Sequence, residues 1–538
     1  MPRSLRSASA MMTAAVIAAS LSGCTSFHEY VRNGLKVGPN YCPPDAPVAQ
    51  KWIDADDIRQ AEDPGTVEQW WTVFDDPRLN LLVECAYRQN LTLREAGCRI
   101  LQARALRDYV VGNIFPQSQS ASGSYSRNGA AVDPSSGTAV GRFTDSWNFG
   151  FNLNWELDFW GRFRRAIAAA DADLDASVAD YDDVLVTLLA DVAGNYVTVR
   201  TTQKRIELLK ANVELQQGVL KYIENRLKVG YKVTELDLDQ ALSNLRQTEA
   251  GIPRLEITLR QAENRLCILL GMPPANLTDL LGTGPIPTSP PEVAVGIPAD
   301  LLRRRPDVRK AERLAAAQAE EIGIAEADLY PAFYINGSFG YSARKFSDLF
   351  RSTAFNGNFG PSFQWNLLNY GRIVSNIRYQ DARFQELVIA YQNTVLSANE
   401  EVENGLVNFL RSQQQSKLLY ESVVAARKAV KIVILQYEKG AVDFNRYATI
   451  EQNLVTQQDS AAQARGQISQ GLIEIYRALG GGWEIGLDGG APLGMTPAEL
   501  PEIDEIAPEE LPTPKPDAMK NPPLPTAPQP MPRKGGTP

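Results

Sequence analysis

From Ser146 to Asp158 the chain alternates between two characters. Trp147, Phe149, Phe151, Leu153, Trp155 and Leu157 fall on odd positions, and Ser146, Asn148, Gly150, Asn152, Asn154, Glu156 and Asp158 on even ones. Successive side chains of a strand point to opposite faces, so this run predicts a strand with one aromatic and one hydrophilic face. A second such strand sets Phe355, Phe359, Phe363, Trp365 and Leu367 against Asn356, Asn358, Ser362, Gln364 and Asn366. Partner strands begin after Pro116, with Ser118, Ser120, Ser122, Ser124 and Ser126 on one side, and after Pro331, with Phe333, Ile335, Phe339 and Tyr341 on one side. A water-soluble sandwich also alternates, yet four strands beside so much helix would bury these aromatics poorly. Lipid outside and a watery lumen inside account for both faces.

Behind each strand pair runs an apolar stripe stepping by three and four. It passes through Ile167, Leu174, Tyr181, Leu188, Val192 and Tyr196 in one half, thinning at Thr202 and Gln216, and through Ile377, Phe384, Tyr391, Val395, Val402 and Phe409 in the other. Each run is long enough to make a helix of roughly 90–100 Å. After Gly230 and Gly440 the chain turns and returns over 236–270 and 444–479. Only neighbouring helices packed side by side, in coiled-coil fashion, bury such stripes. A dimeric coiled coil would do so too, but leaves the strands unexplained.

The two halves are copies. Trp155 matches Trp365, Gly161 matches Gly371, Tyr181 matches Tyr391 and Gly230 matches Gly440, all at an offset of 210 residues. Such self-similarity predicts one supersecondary unit used twice. The chain then divides into a leader at 1–23, an N-terminal segment at 24–75 and a first repeat at 76–281, with strands near 117–128 and 144–158 and a helical hairpin near 162–270. A Pro-rich linker at 282–298 leads to a second repeat at 299–483, with strands near 332–345 and 355–368 and a hairpin near 372–479. A tail at 484–538 is Pro-rich, and its composition predicts disorder. Four strands cannot close a barrel, and an open edge is not viable in lipid. Closure therefore calls for several chains: two would fill the lumen with side chains and three would leave a channel.

Composition removes other classes. A net charge of -9 without basic clusters argues against a nucleic-acid partner. The one histidine, His28, leaves little for His-based catalysis or a metal site, and no constellation supports an enzyme. Arg3 and Arg6 precede a short apolar run from Met11 to Leu21, the pattern of a signal peptide rather than a spanning helix. Of the five cysteines, Cys42, Cys85, Cys98 and Cys267 read as ordinary buried or half-buried thiols. If Cys85 and Cys98 share one helix they stand roughly 20 Å apart, too far for a disulfide.

Leu21-Ser22-Gly23-Cys24 resembles the lipobox of bacterial lipoproteins. The whole mature chain resembles the TolC family of outer-membrane efflux proteins, in its NodT/OprM-like lipoprotein branch. The segments that carry the resemblance are Val37 to Tyr41, Trp70-Trp71 followed by Phe74 to Pro77, Asn154 to Gly161, Arg304 to Val308, Leu329-Tyr330-Pro331, Asn369 to Arg372 and Tyr476 to Trp483. The resemblance implies a fold: a trimeric outer-membrane β-barrel with four strands per chain, continued by a long periplasmic α-helical barrel. It implies the exit duct of a tripartite efflux pump, passing drugs or other small molecules outward. No cofactor is implied beyond the diacylglycerol and N-acyl groups on Cys24. The implied partners are a periplasmic adaptor (membrane fusion) protein, an inner-membrane transporter of the RND type and outer-membrane lipid. Gly230 and Gly440, at the hairpin turns, become docking residues for the adaptor. Tyr437, Asp443 and Arg446 at the second turn, with Asp237 at the first, become gate residues. Arg446 stands where some relatives carry an aspartate, which puts an acidic cation-binding ring in doubt. A type I protein secretion duct and a non-conducting envelope lipoprotein are the competing readings.

Overall fold

The computed structural model describes residues 27–54, 57, 60–61, 68–129, 143–230, 233–294, 298–300 and 304–486. The leader, Cys24 and nearly all of the Pro-rich tail lie outside these residues. The chain is mostly helical, with one four-stranded antiparallel sheet. Strands β1 (Ser118–Gly129) and β2 (Phe143–Leu157) belong to the first half, β3 (Ala332–Ala343) and β4 (Phe355–Gln364) to the second. Their order in the sheet is β1-β2-β3-β4, so β1 and β4 each keep one edge without a partner among the described residues. Strand β4 ends at Gln364, short of the 368 to which its alternation points. Trp365 leaves the ladder because its indole Nε1 donates to the Leu329 carbonyl at 2.9 Å. The same bond recurs in the first half, from Trp155 to the Ile114 carbonyl at 3.0 Å.

Each half carries three main helices. In the first, α2 (Leu91–Gly112) precedes the strands, and α3 (Arg162–Lys228) and α4 (Glu235–Leu269) follow them. In the second, α5 (Pro306–Ala327) precedes, and α6 (Arg372–Glu438) and α7 (Phe444–Ala478) follow. The copies match in length: 22 residues in α2 and α5, 67 in α3 and α6, and 35 in α4 and α7. At ~1.5 Å per residue the long helices reach roughly 100 Å. Gly161 and Gly371, both at φ 83°, turn each strand into its long helix. The short α2 and α5 flank the halves of α3 and α6 nearest the sheet, and α4 and α7 return along the other halves. Among the described residues no helix is long and apolar enough to cross a membrane.

The first repeat has an additional helix, α1 (Pro77–Gln89), and its boundary corrects one expectation. Cys85 lies on α1 and Cys98 on α2, because Asn90 ends one helix and caps the next. Its side chain accepts from the Leu93 amide at 2.8 Å and donates to the Leu269 carbonyl at 2.9 Å. All four described cysteines are free thiols, but only Cys85 and Cys267 are covered; Cys42 and Cys98 are exposed.

The main core is a belt at mid-height. Trp70 and Trp71 are buried there with Leu185, Leu189 and Tyr196 of α3, Val402 and Phe409 of α6, and Leu472 and Tyr476 of α7. Trp70 stacks on Tyr476 at 5.4 Å. Backbones touch where side chains vanish: a Cβ on Gly471 would meet the Phe409 amide nitrogen at 2.8 Å, and one on Gly466 would run into Thr201. Three arginines are buried in or near this architecture. Arg165 donates to the Val37 and Gly38 carbonyls at 2.5 and 2.7 Å and pairs with Glu320 at 2.7 Å. Arg200 donates to the Leu281 and Gly282 carbonyls, both at 2.8 Å, and to the Tyr196 hydroxyl at 2.9 Å. Arg305 joins Asp307 and Glu401, both at 2.7 Å, and the Ala478 carbonyl at 2.9 Å. Burial opposes its charge, yet the two carboxylates outweigh it and raise its pKa further.

Candidate functional site: the two-faced sheet and the hairpin tips

The sheet register sorts every side chain by face. Ser120, Asn152 and Ser338 stand in one row with Asn358, and Ser124, Asn148 and Ser342 in another. Neutral bonds cross the strands on that face: Ser338 Oγ to Asn358 Oδ1 at 2.7 Å, Ser342 Oγ to Asn148 Oδ1 at 2.8 Å and Asn336 Nδ2 to Ser362 Oγ at 2.6 Å. The opposite face carries Phe151 stacked on Phe339 at 5.3 Å and Phe333 beside Phe363 at 6.5 Å. Phe359 and Phe363 are 75% and 68% exposed, a state water would penalise and lipid would not. Cross-strand pairing makes the polar face self-satisfied.

About 100 Å from the sheet the hairpins turn at Gly230 and Gly440. Both glycines have positive φ, 72° and 68°, and a Cβ on either would meet nothing within 4 Å. The backbone needs their conformation, and the space around them is open. Between the two turns lies a small core of Ile223, Ala241, Val433, Phe444, Tyr447 and Ala448. It joins the first hairpin to the second.

The structure brings some candidate gate residues together and gives others local duties. Tyr437 packs within about 6 Å of Tyr222, Phe444 and Tyr447 (ring centroids 6.2, 5.8 and 6.1 Å). Its hydroxyl is buried, with no hydrogen-bond partner among the described residues. Burial pushes its pKa up to about 12, and the charge of Asp237 adds to the rise. Asp237 itself closes a capping box, accepting from the Thr234 amide at 2.9 Å. Asp443 caps α7 by accepting from the Arg446 amide at 2.9 Å. The Arg446 side chain is exposed and makes no hydrogen bond or ion pair among the described residues. Two other residues do the joining. Arg226 donates to the Glu438 carbonyl at 2.9 Å while covering the Tyr222 ring at 4.5 Å. Gln240 of the first hairpin donates to Asn445 of the second at 3.2 Å.

The profile of the outer membrane efflux protein family matches residues 82–272 and 297–481, most of the chain. The chain belongs to that family. Nodulation protein T of Rhizobium leguminosarum bv. trifolii is 29% identical over 461 residues, spanning 85% of this chain and 97% of its own. The solved outer-membrane channel OprN is 32% identical, with a TM-score of 0.77 over 83% of this chain and 99% of its own. The outer-membrane channel MtrE of Neisseria gonorrhoeae, solved in an open state, is 25% identical, with a TM-score of 0.74 over 83% of this chain and 98% of its own. This efflux-family chain is therefore an outer-membrane channel and not an enzyme, an exit duct that extends into the periplasm.

The segments that carry the family resemblance sit at the belt and the root of the sheet. Asp158 accepts from the Phe163 and Arg164 amides, Trp160 donates to the Pro331 carbonyl at 2.8 Å, and Tyr330 stacks on Trp160 at 4.6 Å. Asp76 accepts from the Tyr196 hydroxyl at 2.6 Å. None of these lies at the tips. The tip residues that sequence reasoning passed over are Arg226, Gln240, Asn445 and Glu451. Gln216, where the apolar stripe thins, was the available signal: it is buried, and it faces Glu451 across the seam.

Proposed function

We propose that three copies close their sheets into one barrel, β1 of each chain pairing with β4 of the next, and that the helices continue it as a tunnel. The observation that carries this reading is the sheet itself: a polar face, an exposed aromatic face and two unpaired edges. In lipid such edges cannot stand open, and three sets of four strands make a barrel of about twelve, wide enough to leave a lumen. The helices support the same closure. Along the far half, α4, α3, α7 and α6 lie side by side in that order, leaving α4 and α6 at the edges. Both edges expose apolar residues, Leu236 and Ile257 on α4, and Leu418 and Ile432 on α6. They complement one another between copies.

Cys24 carries the lipid that holds the assembly to the membrane. The tips at Gly230 and Gly440 meet a periplasmic adaptor, which couples the duct to an inner-membrane transporter of the RND type. Tyr437, Asp237, Asp443 and Arg446 ring the periplasmic mouth. That MtrE was captured open supports a mouth with two states. The test is conductance in planar bilayers together with a parity series. An Arg at Phe363 or Phe151 is expected to cost about 2–4 kcal/mol near the midplane and impair assembly. An Arg at Asn358 or Asn152 is expected to assemble and alter conductance. Equal behaviour of the two sets would refute the face assignment.

A further inference from the structure

Helices α3 and α7 run antiparallel from the belt to the tip, joined by successive polar rungs. Gln470 donates to the Gly194 carbonyl at 2.7 Å, Arg205 pairs with Asp459 at 2.6 Å, and Asn212 donates to Gln458 at 2.9 Å. Each of these rungs is complete. The next is not. Glu451, Gln216 and Tyr447 are 2%, 4% and 1% exposed. Yet Glu451 Oε1, the Tyr447 hydroxyl and both amide atoms of Gln216 lack a well-formed hydrogen bond among the described residues. Among the described residues no cation answers the carboxyl. From α3 only the neutral Gln216 acts on it, and from α7 only Tyr447; α6 contributes Tyr437, which acts on Tyr447. From α4 no titratable group acts on it. Just beyond this rung lies the apolar core that joins the two hairpins.

A carboxylate buried between two helices without a counter-charge disfavours their packing, and its protonated form does not. We propose that Glu451 is a protonation-controlled latch: neutral, it lets the tip halves of α3 and α7 stay packed; ionised, it drives the hairpins apart. This rests on the duct reading for its consequence, which is opening of the mouth. Burial raises the Glu451 pKa from 4.5 to about 7, although Gln216 and Tyr447 favour the ionised form. Separation of the hairpins returns the group to water and to its ordinary value. Below pH 4.5 both forms are protonated and packing is strongest. Between 4.5 and about 7 packing weakens about tenfold per unit, a few hundredfold in all, and above that window it stays weak.

The experiment uses full-length protein, in a background with Cys42→Ser and Cys98→Ser, with spin labels at Val229→Cys and Ala441→Cys, one on each exposed turn. Distance distributions are recorded from pH 5 to 8.5, alongside conductance in planar bilayers. The native seam is expected to gain a long-distance population with a midpoint near 7, and open probability to follow it. Glu451→Gln, a neutral isostere, is expected to stay short and closed throughout. Gln216→Leu, which removes a group favouring ionisation, is expected to move the midpoint upward. Distances that ignore pH in the native seam, or that titrate unchanged in Glu451→Gln, overturn the latch. Distances that titrate without any conductance refute the duct and leave the latch standing.

Discussion

At mid-height α3 and α7 meet through glycines and bonded side chains; towards the tip the same two helices meet through bulky rings and an incomplete polar rung. Near the belt, Gly466 lets α7 rest directly against Thr201, and Gln470 is tied to both Gly194 and Thr198. Near the tip, Tyr437, Tyr447 and Glu451 keep polar atoms without partners among the described residues; Trp70 and Thr201 do so at the belt, but at the tip one of these groups is a buried carboxyl with neutral neighbours. Buried unsatisfied groups cost about 1–3 kcal/mol each. On the proposed reading the belt holds and the tip releases. One pair of helices can be both wall and door because its contacts change character along its length.

Removing a belt guanidinium tests this contrast most severely. Arg305→Ala leaves Asp307, Glu401 and the Ala478 carbonyl without their donor and is expected to cost about 3–5 kcal/mol in chemical denaturation of the assembled protein. A loss below about 1 kcal/mol would mean that the belt is not held as described.

Adding methyl groups to matched glycines sharpens the comparison. Gly471→Ala forces the new Cβ into the Phe409 backbone and is expected to destabilise by about 1–3 kcal/mol. Gly440→Ala meets no neighbour and carries only the strain of its positive φ, about 1–2 kcal/mol, confined to the turn. Hydrogen exchange separates them: the first loosens the belt and the second leaves it protected.

At the tip itself, effects on stability shrink and effects on conduction grow. Asp443→Ala removes the α7 cap, worth about 0.5–2 kcal/mol, and Arg446→Ala removes an exposed side chain with little effect on stability. Either change is expected to raise single-channel conductance or admit large antibiotics. Unaltered conductance in both variants would move the gate to Tyr437, Arg226 and the Glu451 rung.

The sheet was legible in the sequence because a strand exposes alternate residues to two solvents, so Phe149 to Trp155 announces its own faces. The long hairpins were legible because a duplicated stripe is written twice. The buried arginines were not. Nothing local marks Arg165, Arg200 and Arg305 as buried, since their partners include backbone carbonyls far away in sequence, such as Val37 for Arg165 and Leu281 for Arg200. The break at Asn90 was hidden because apolar positions continue on both sides of it. At the tip, residue types suggested a charged gate, whereas Asp237 and Asp443 are occupied as caps. Gln216 was visible as a gap in the stripe, but its partner stands 235 positions later, a distance no local pattern spans.

The central claim, a fixed belt and a tip that parts, is tested most directly by crosslinking each end in turn. In a background with Cys42→Ser and Cys98→Ser, a short thiol crosslinker would join Gln240→Cys to Asn445→Cys at the tip, or Gly194→Cys to Gln470→Cys at the belt. Joining the tip pair is expected to abolish opening in planar bilayers, with recovery when the linker is cleaved, while joining the belt pair leaves conductance unchanged. Full opening with the tip pair joined would contradict the account.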